Sequence, residues 1–241
     1  MVGVLISLIW WHPLLWMNHQ FLGGSSIILL SVFKGIFLWG IISLEQIVLK
    51  ESVSSASFIT FPSLALGSLT LNFFFGESLS FFHLAMIISI GFLGFIFLMV
   101  GHAKELHRNG KLALLGILVL NAYCIISDHV VISKTNWYIH LTVTTLFFFL
   151  MSFAIGVSKE EWKQTLTRSE AITAGLVFVV SEFYLIATMV TFLPVSYAVL
   201  ASQLPLPFIM VLSSFLYGED KWHEQAIFGG LAFALAIPLI L

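Results

Sequence analysis

The chain has 241 residues, 59% of them hydrophobic and 9% charged, with a mean hydropathy of +1.05 and a net charge of −2. An ordinary soluble domain carries about 25% charged residues, so a water-facing globular surface is excluded. The basic footprint of a nucleic-acid binder is absent, and a single cysteine, Cys124, rules out an internal disulfide or a cysteine metal cage.

The apolar runs are about 20 residues long, enough to cross roughly 30 Å of hydrocarbon as helices. Only helices or closed barrels satisfy the backbone in lipid, and the short alternation of barrel strands is missing. The sequence therefore predicts an all-α fold: a polytopic membrane helical bundle of about nine transmembrane helices. They fall near 1–17, 26–48, 54–75, 81–101, 112–132, 137–157, 171–192, 196–217 and 223–241. The first has no basic n-region and no small-residue cleavage site, so it is read as a retained helix. Lys50, Lys104, Arg108, Lys111, Lys159, Lys163, Arg168 and Lys221 lie in alternate loops on one face, against Lys134 on the other. The positive-inside rule makes the first face cytoplasmic in a multi-pass protein of the cell (inner or plasma) membrane.

In chain order, Lys34 comes first among the residues that could carry chemistry. It is an ammonium inside the second helix, where a charge costs roughly 2.5–3.5 kcal/mol at the bilayer centre and must face protein or water. Pro62 interrupts the third helix by removing a ladder hydrogen bond, as Pro205 and Pro207 do in the eighth. These prolines are either hinges that open backbone at a substrate site or static packing curvature. Gly76-Glu77 closes the Phe-rich end of the third helix. Glycine suits a positive φ just past a last turn, and the glutamate then lies near the N-terminus of the next helix.

The fifth helix is unusually polar, with Asn121, Tyr123, Asp128 and His129. Tyr123, Asp128 and His129 could bind a polar substrate or relay protons, imidazole being the side chain that exchanges them near neutral pH. Alternatively, Asp128 and His129 only mark the approach to the helix end. Glu182 lies near the middle of the seventh helix, with Tyr184 as a possible cavity wall, and Gln203 sits just before Pro205. Lys34 and Glu182 could pair across the bundle, or act separately as substrate counter-ion and proton carrier. His102 and His107 lack a metal-ligand spacing, so no metal is expected. No phosphate loop or nucleophile elbow is present, so neither a cofactor nor an enzyme is expected.

The Gly-Glu pair recurs as Gly218-Glu219, and the surroundings match. Ala56 precedes Gly76 by 20 residues, and Ala198 precedes Gly218 by the same distance. Pro62 and Pro205 fall between them, one residue out of register. Two repeats follow, 1–104 with four helices and 105–241 with five. On Pro62 through Gly76-Glu77 into Gly91 and Gly94, and on Pro194 through Ala198, Pro205 and Gly218-Glu219 into Gly229-Gly230, the chain resembles the EamA-type domains of the drug/metabolite transporter superfamily. The resemblance implies two inverted five-helix repeats around a central substrate cavity, and the first repeat here lacks its first helix. The expected function is a secondary-active transporter of small metabolites or drug-like solutes, working by alternating access on a proton or solute gradient. Its partners are then a small-molecule substrate and the lipid bilayer, as monomer or homodimer. The alternative is a non-transporting membrane subunit or a degenerate, truncated carrier.

Overall fold

A computed structural model describes residues 25–76, 79–99, 106–132, 137–155 and 222–239, together with residues 169 and 173. The fold is all-α, and among the described residues every regular element is helical. In chain order they are α1 (Ser25–Leu49), α2 (Val53–Phe58), α3 (Thr60–Phe74), α4 (Phe81–Phe97), α5 (Arg108–Ile132), α6 (Trp137–Ile155) and α7 (Trp222–Ala236). A 3₁₀ turn, Ile237–Leu239, follows α7. Two of these helices are long and apolar enough to cross a membrane, over Ser26–Leu49 and Arg108–Val131. Shorter apolar stretches are Phe81–Phe97, Ile139–Ala154 and Ala226–Ala236.

Among the described residues a largely apolar core coexists with many exposed aromatic side chains and several buried polar ones. Phe73, Phe74, Phe81, Phe92 and Phe153 are exposed, while Ser31, Ser63, Ser127, His140, Thr144 and Ser152 are buried. Large exposed apolar area is unfavourable against water but neutral against acyl chains. Buried hydroxyls can be satisfied by the helix itself: Ser31, Ser63 and Ser152 each donate to the carbonyl four residues back, at 2.8–2.9 Å. In lipid, small residues and hydroxyls at helix contacts allow close approach.

The sequence predicts one proline-interrupted helix over 54–75, and the interruption appears as a boundary between α2 and α3. Pro62 has no N–H for the Phe58 carbonyl four residues back, and its ring crowds that carbonyl. α2 therefore ends at Phe58, and Pro62 occupies the first turn of α3, where a missing donor is tolerated. Ile59 between them keeps helical dihedrals (φ −63°, ψ −21°), so the ladder is broken while the chain barely turns. Gly94 of α4 faces this break: a Cβ there would lie 2.8 Å from Pro62 Cδ and 3.1 Å from the Phe58 oxygen. Phe97, one turn further on, stacks on Phe58 with ring centroids 3.8 Å apart and meets Phe228 of α7 edge-on at 5.2 Å.

Past the end of α3, Gly76 has φ +73°, the left-handed conformation expected of it. The following helix is capped by Ser80, whose Oγ accepts from the His83 N–H at 3.2 Å. Glu77 itself lies outside the described residues. α5 begins at Arg108, four residues before the expected start at 112. Its cap comes from a distant residue: Glu51 Oε2 accepts from the His107 N–H at 2.8 Å and lies 3.6 Å from His107 Nδ1. The His107 ring is otherwise solvated, as expected of that loop.

The chain divides into two compact units, residues 1–39 with 127–193 and residues 40–126 with 194–241. α1 and α5 each contribute residues to both. The break at Pro62, the Phe58–Phe97 stack and the Glu51 cap belong to the second unit. The first unit contains the ionisable residues considered next.

Candidate functional site

Three helices of the first unit bring Lys34, Asp128 and His140 together. On α1, Ile27, Ser31 and Lys34 share a face through i, i+4 and i+7 spacing. Next to Lys34, Gly35 allows α6 to approach closely: a Cβ at this position would lie 2.5 Å from the Thr144 carbonyl oxygen and 2.8 Å from Phe147 Cβ. On α6, His140 and Thr144 are one turn apart, so the same face that meets Gly35 carries the imidazole. The contact is fastened by Thr144 Oγ1, which donates to the Ser31 carbonyl at 3.2 Å. α5 supplies Asp128, and its neighbour Ser127 donates to the Leu30 carbonyl at 3.5 Å.

The Lys34 ammonium is ion-paired with Asp128 Oδ1. His140 Nε2 lies 2.7 Å from the same oxygen, and Lys34 Nζ is 3.5 Å from that ring nitrogen. On the far side of the ring, His140 Nδ1 is 2.8 Å from Ser31 Oγ. Lys34 and His140 retain 13% and 3% of their side-chain exposure and Asp128 retains 21%, which makes the carboxylate the most accessible member.

The proton inventory of this array is constrained. Where Ser31 Oγ donates to the Ile27 carbonyl at 2.9 Å, it accepts from His140, and Nδ1 then carries a proton. The 2.7 Å contact between Nε2 and a carboxylate oxygen requires a proton there too, held either by the ring or by Asp128. In a third arrangement Ser31 turns its hydroxyl to Nδ1 and the neutral ring donates through Nε2. All three use the same heavy-atom positions; the first two hold the same protons and differ in whether the ring or the carboxyl carries one, and the third holds one proton fewer. A proton can therefore pass between Asp128 and His140 without moving a helix.

Ser31, His140 and Asp128 also have the residue types of a nucleophilic triad. The surroundings argue against that chemistry. Ser31 is fully buried in mid-helix, its hydroxyl is taken up by Ile27, and Lys34 neutralises the carboxylate. A helix interior also uses its own N–H groups, leaving none to hold an oxyanion.

Of the residues singled out from sequence, Lys34 and Asp128 form the centre of the array. Tyr123 and His129 are half-buried on α5, but five residues before and one residue after Asp128 they point away from its face. Pro62 lies at the α2–α3 boundary in the other unit. Glu182, Tyr184, Gln203, Pro205, Pro207, Gly218 and Glu219, like Glu77, lie outside the described residues. Among the described residues, the acidic partner of Lys34 is Asp128, a pairing that the sequence reading did not make. His140 and Ser31 were also missed. An imidazole at the fourth position of the apolar run beginning at Trp137 was the available signal, by the same rule that selects Lys34. Among the described residues, no three His, Cys, Asp or Glu side chains converge as metal ligands.

Set against known proteins, the chain matches no protein-family model and no curated protein.

Proposed function

We propose that the chain is a multi-pass membrane carrier of about nine helices in two EamA-like inverted repeats, and that Lys34, Asp128 and His140 form its coupling site. The observation that carries this reading is the array itself: three ionisable side chains held together on helices apolar enough to lie in a bilayer. Each is expensive in lipid unless it is paired or faces water, and intramembrane ionisable clusters often mark ion and substrate pathways.

The array suggests how coupling proceeds. An anionic group of the substrate binds the Lys34 ammonium and displaces Asp128. The freed carboxylate, no longer neutralised, takes up a proton from solvent reaching its accessible edge, directly or through a protonated His140 that is reprotonated from the same solvent. Substrate and proton then travel together, and release of one favours release of the other. Lys34 selects an anionic or zwitterionic metabolite; Glu182, Tyr184 and Gln203 are assigned to the same pathway from sequence. The prolines at 62, 205 and 207 act as the hinges of alternating access. No cofactor is required.

One observation favours the second reading, a non-transporting membrane subunit. Lys34 and Asp128 neutralise each other, as a structural ion pair would. The two readings separate in proteoliposomes made from the purified chain and loaded with a pH-sensitive dye. A carrier acidifies or alkalinises the lumen when one member of a panel of small carboxylates, amino acids and organic phosphates is added outside. A structural subunit gives the empty-vesicle trace with every solute. The oligomeric state in detergent decides between monomer and homodimer as the working unit.

A further inference from the structure

The second compact unit contains a cavity of about 410 Å³, within the range of small-ligand sites. It lies between the C-terminal end of α4, with Phe95 and Met99, and one stripe of α5: Lys111, Leu114, Leu115 and Leu118. The spacing i, i+3, i+4 and i+7 places these four α5 residues on a single face. Leu118 is seven residues beyond Lys111, so the lining runs about 10 Å along the helix from a cation into purely apolar surface. The cavity surface is almost wholly apolar, and the Lys111 side chain borders one end of it.

The charge at that end is reinforced. Arg108 lies one turn before Lys111 on the same side of α5, and both side chains are exposed. The first turn of α5 contains no acidic residue, and cations at a helix N-terminus work against its dipole. Glu51, at the same corner, offsets a single charge and is already engaged by His107. An additional anion at this corner would gain from two cations and from the dipole together.

We propose that this cavity is a binding site for an anionic phospholipid of the surrounding bilayer. One acyl chain lies along Leu114, Leu115 and Leu118, and the phosphate is held by Lys111 and Arg108. The sidedness of the basic loops places these two cations at the cytoplasmic leaflet, where anionic lipids carry a negative surface potential and each nearby Lys or Arg adds to attraction. The chemistry called for is a phosphodiester head on a long chain, which a free phosphate or a short solute does not supply. The site requires membrane insertion but is independent of transport, so a chain that moves no solute still binds the lipid.

The test is native mass spectrometry of the protein released from nanodiscs of equimolar phosphatidylglycerol and phosphatidylcholine. Wild-type protein retains phosphatidylglycerol selectively. K111Q and R108Q each lower that retention roughly fivefold, while K111R keeps it. L115W, which fills the cavity without changing charge, lowers it as well; M99W serves the same purpose if L115W does not fold. Equal retention of the two lipids overturns the assignment. So does retention of phosphatidylglycerol that survives K111Q, or that survives both tryptophan variants. Displacement of the bound lipid by free inorganic phosphate alone would also overturn it, because the acyl chain would then contribute nothing.

Discussion

Among the described residues, the two compact units differ in what dominates their interiors. In the residues that include Lys34, Asp128 and His140, the interior is ionic and hydrogen-bonded. In those that include Phe58, Phe61, Ile90 and Phe97, it is aromatic and aliphatic, with glycines set against a proline break. The second kind of interior needs only shape, and small errors in it are absorbed by neighbouring side chains. The first needs every partner present, because a buried charge without its counter-ion has no compensation. An ionic interior, where an apolar one is cheaper, is the feature on which the proposed coupling site rests.

The contrast can be broken most severely at Asp128. D128A leaves the Lys34 ammonium buried and unopposed, at a cost of about 3–5 kcal/mol, read as a fall in thermal unfolding temperature in detergent. The charge-free double variant K34M/D128L should recover most of that stability, because replacing a buried pair with apolar residues is often neutral or better. A double variant as unstable as D128A would mean that the pair is needed to hold the helices together.

Phe97→Ala is expected to cost on the order of 2 kcal/mol by emptying the space between Phe58 and Phe228. In lipid the loss is one of packing, without the full transfer penalty of a water-soluble core. It should leave any solute flux intact, since no charge is disturbed. Gly35→Ala is expected to cost about 1–3 kcal/mol by overpacking α1 against Thr144. Unlike Phe97→Ala, it should impair flux, because it moves Lys34 away from His140. Equal flux in these two variants would erase the functional difference between the units. The smallest effect is at the α4 cap: Ser80→Ala should lower stability by about 1 kcal/mol and leave function unchanged.

Among the described residues, the helices were legible in the sequence because length and apolarity define them; the expected helices near 1–17, 171–192 and 196–217 lie outside those residues, apart from residue 173. The expected 26–48 and 137–157 appear as Ser25–Leu49 and Trp137–Ile155. The ends were less legible where a distant residue sets them. α5 starts early because Glu51, 56 positions away in the chain, caps the N–H of His107. Gly76 could be read locally, since a positive φ past a last turn is a property of that residue alone. Within the site, Lys34 and Asp128 were visible as charges in apolar runs, but their pairing was not. Helical periodicity says which residues share a face, and it does not say which helices are neighbours. The sequence therefore suggested Glu182, which lies outside the described residues, and not Asp128 as a partner of Lys34. His140 could have been found, because an imidazole in an apolar run is subject to the same cost as an ammonium.

The most direct test of the coupling site is luminal pH in proteoliposomes during addition of a transported solute, with wild-type protein and K34M/D128L compared at equal reconstitution. Solute-driven proton movement in the wild type, and its loss in a double variant that remains folded, is the predicted result. Proton movement of equal size in both would show that Lys34 and Asp128 carry neither the substrate nor the proton.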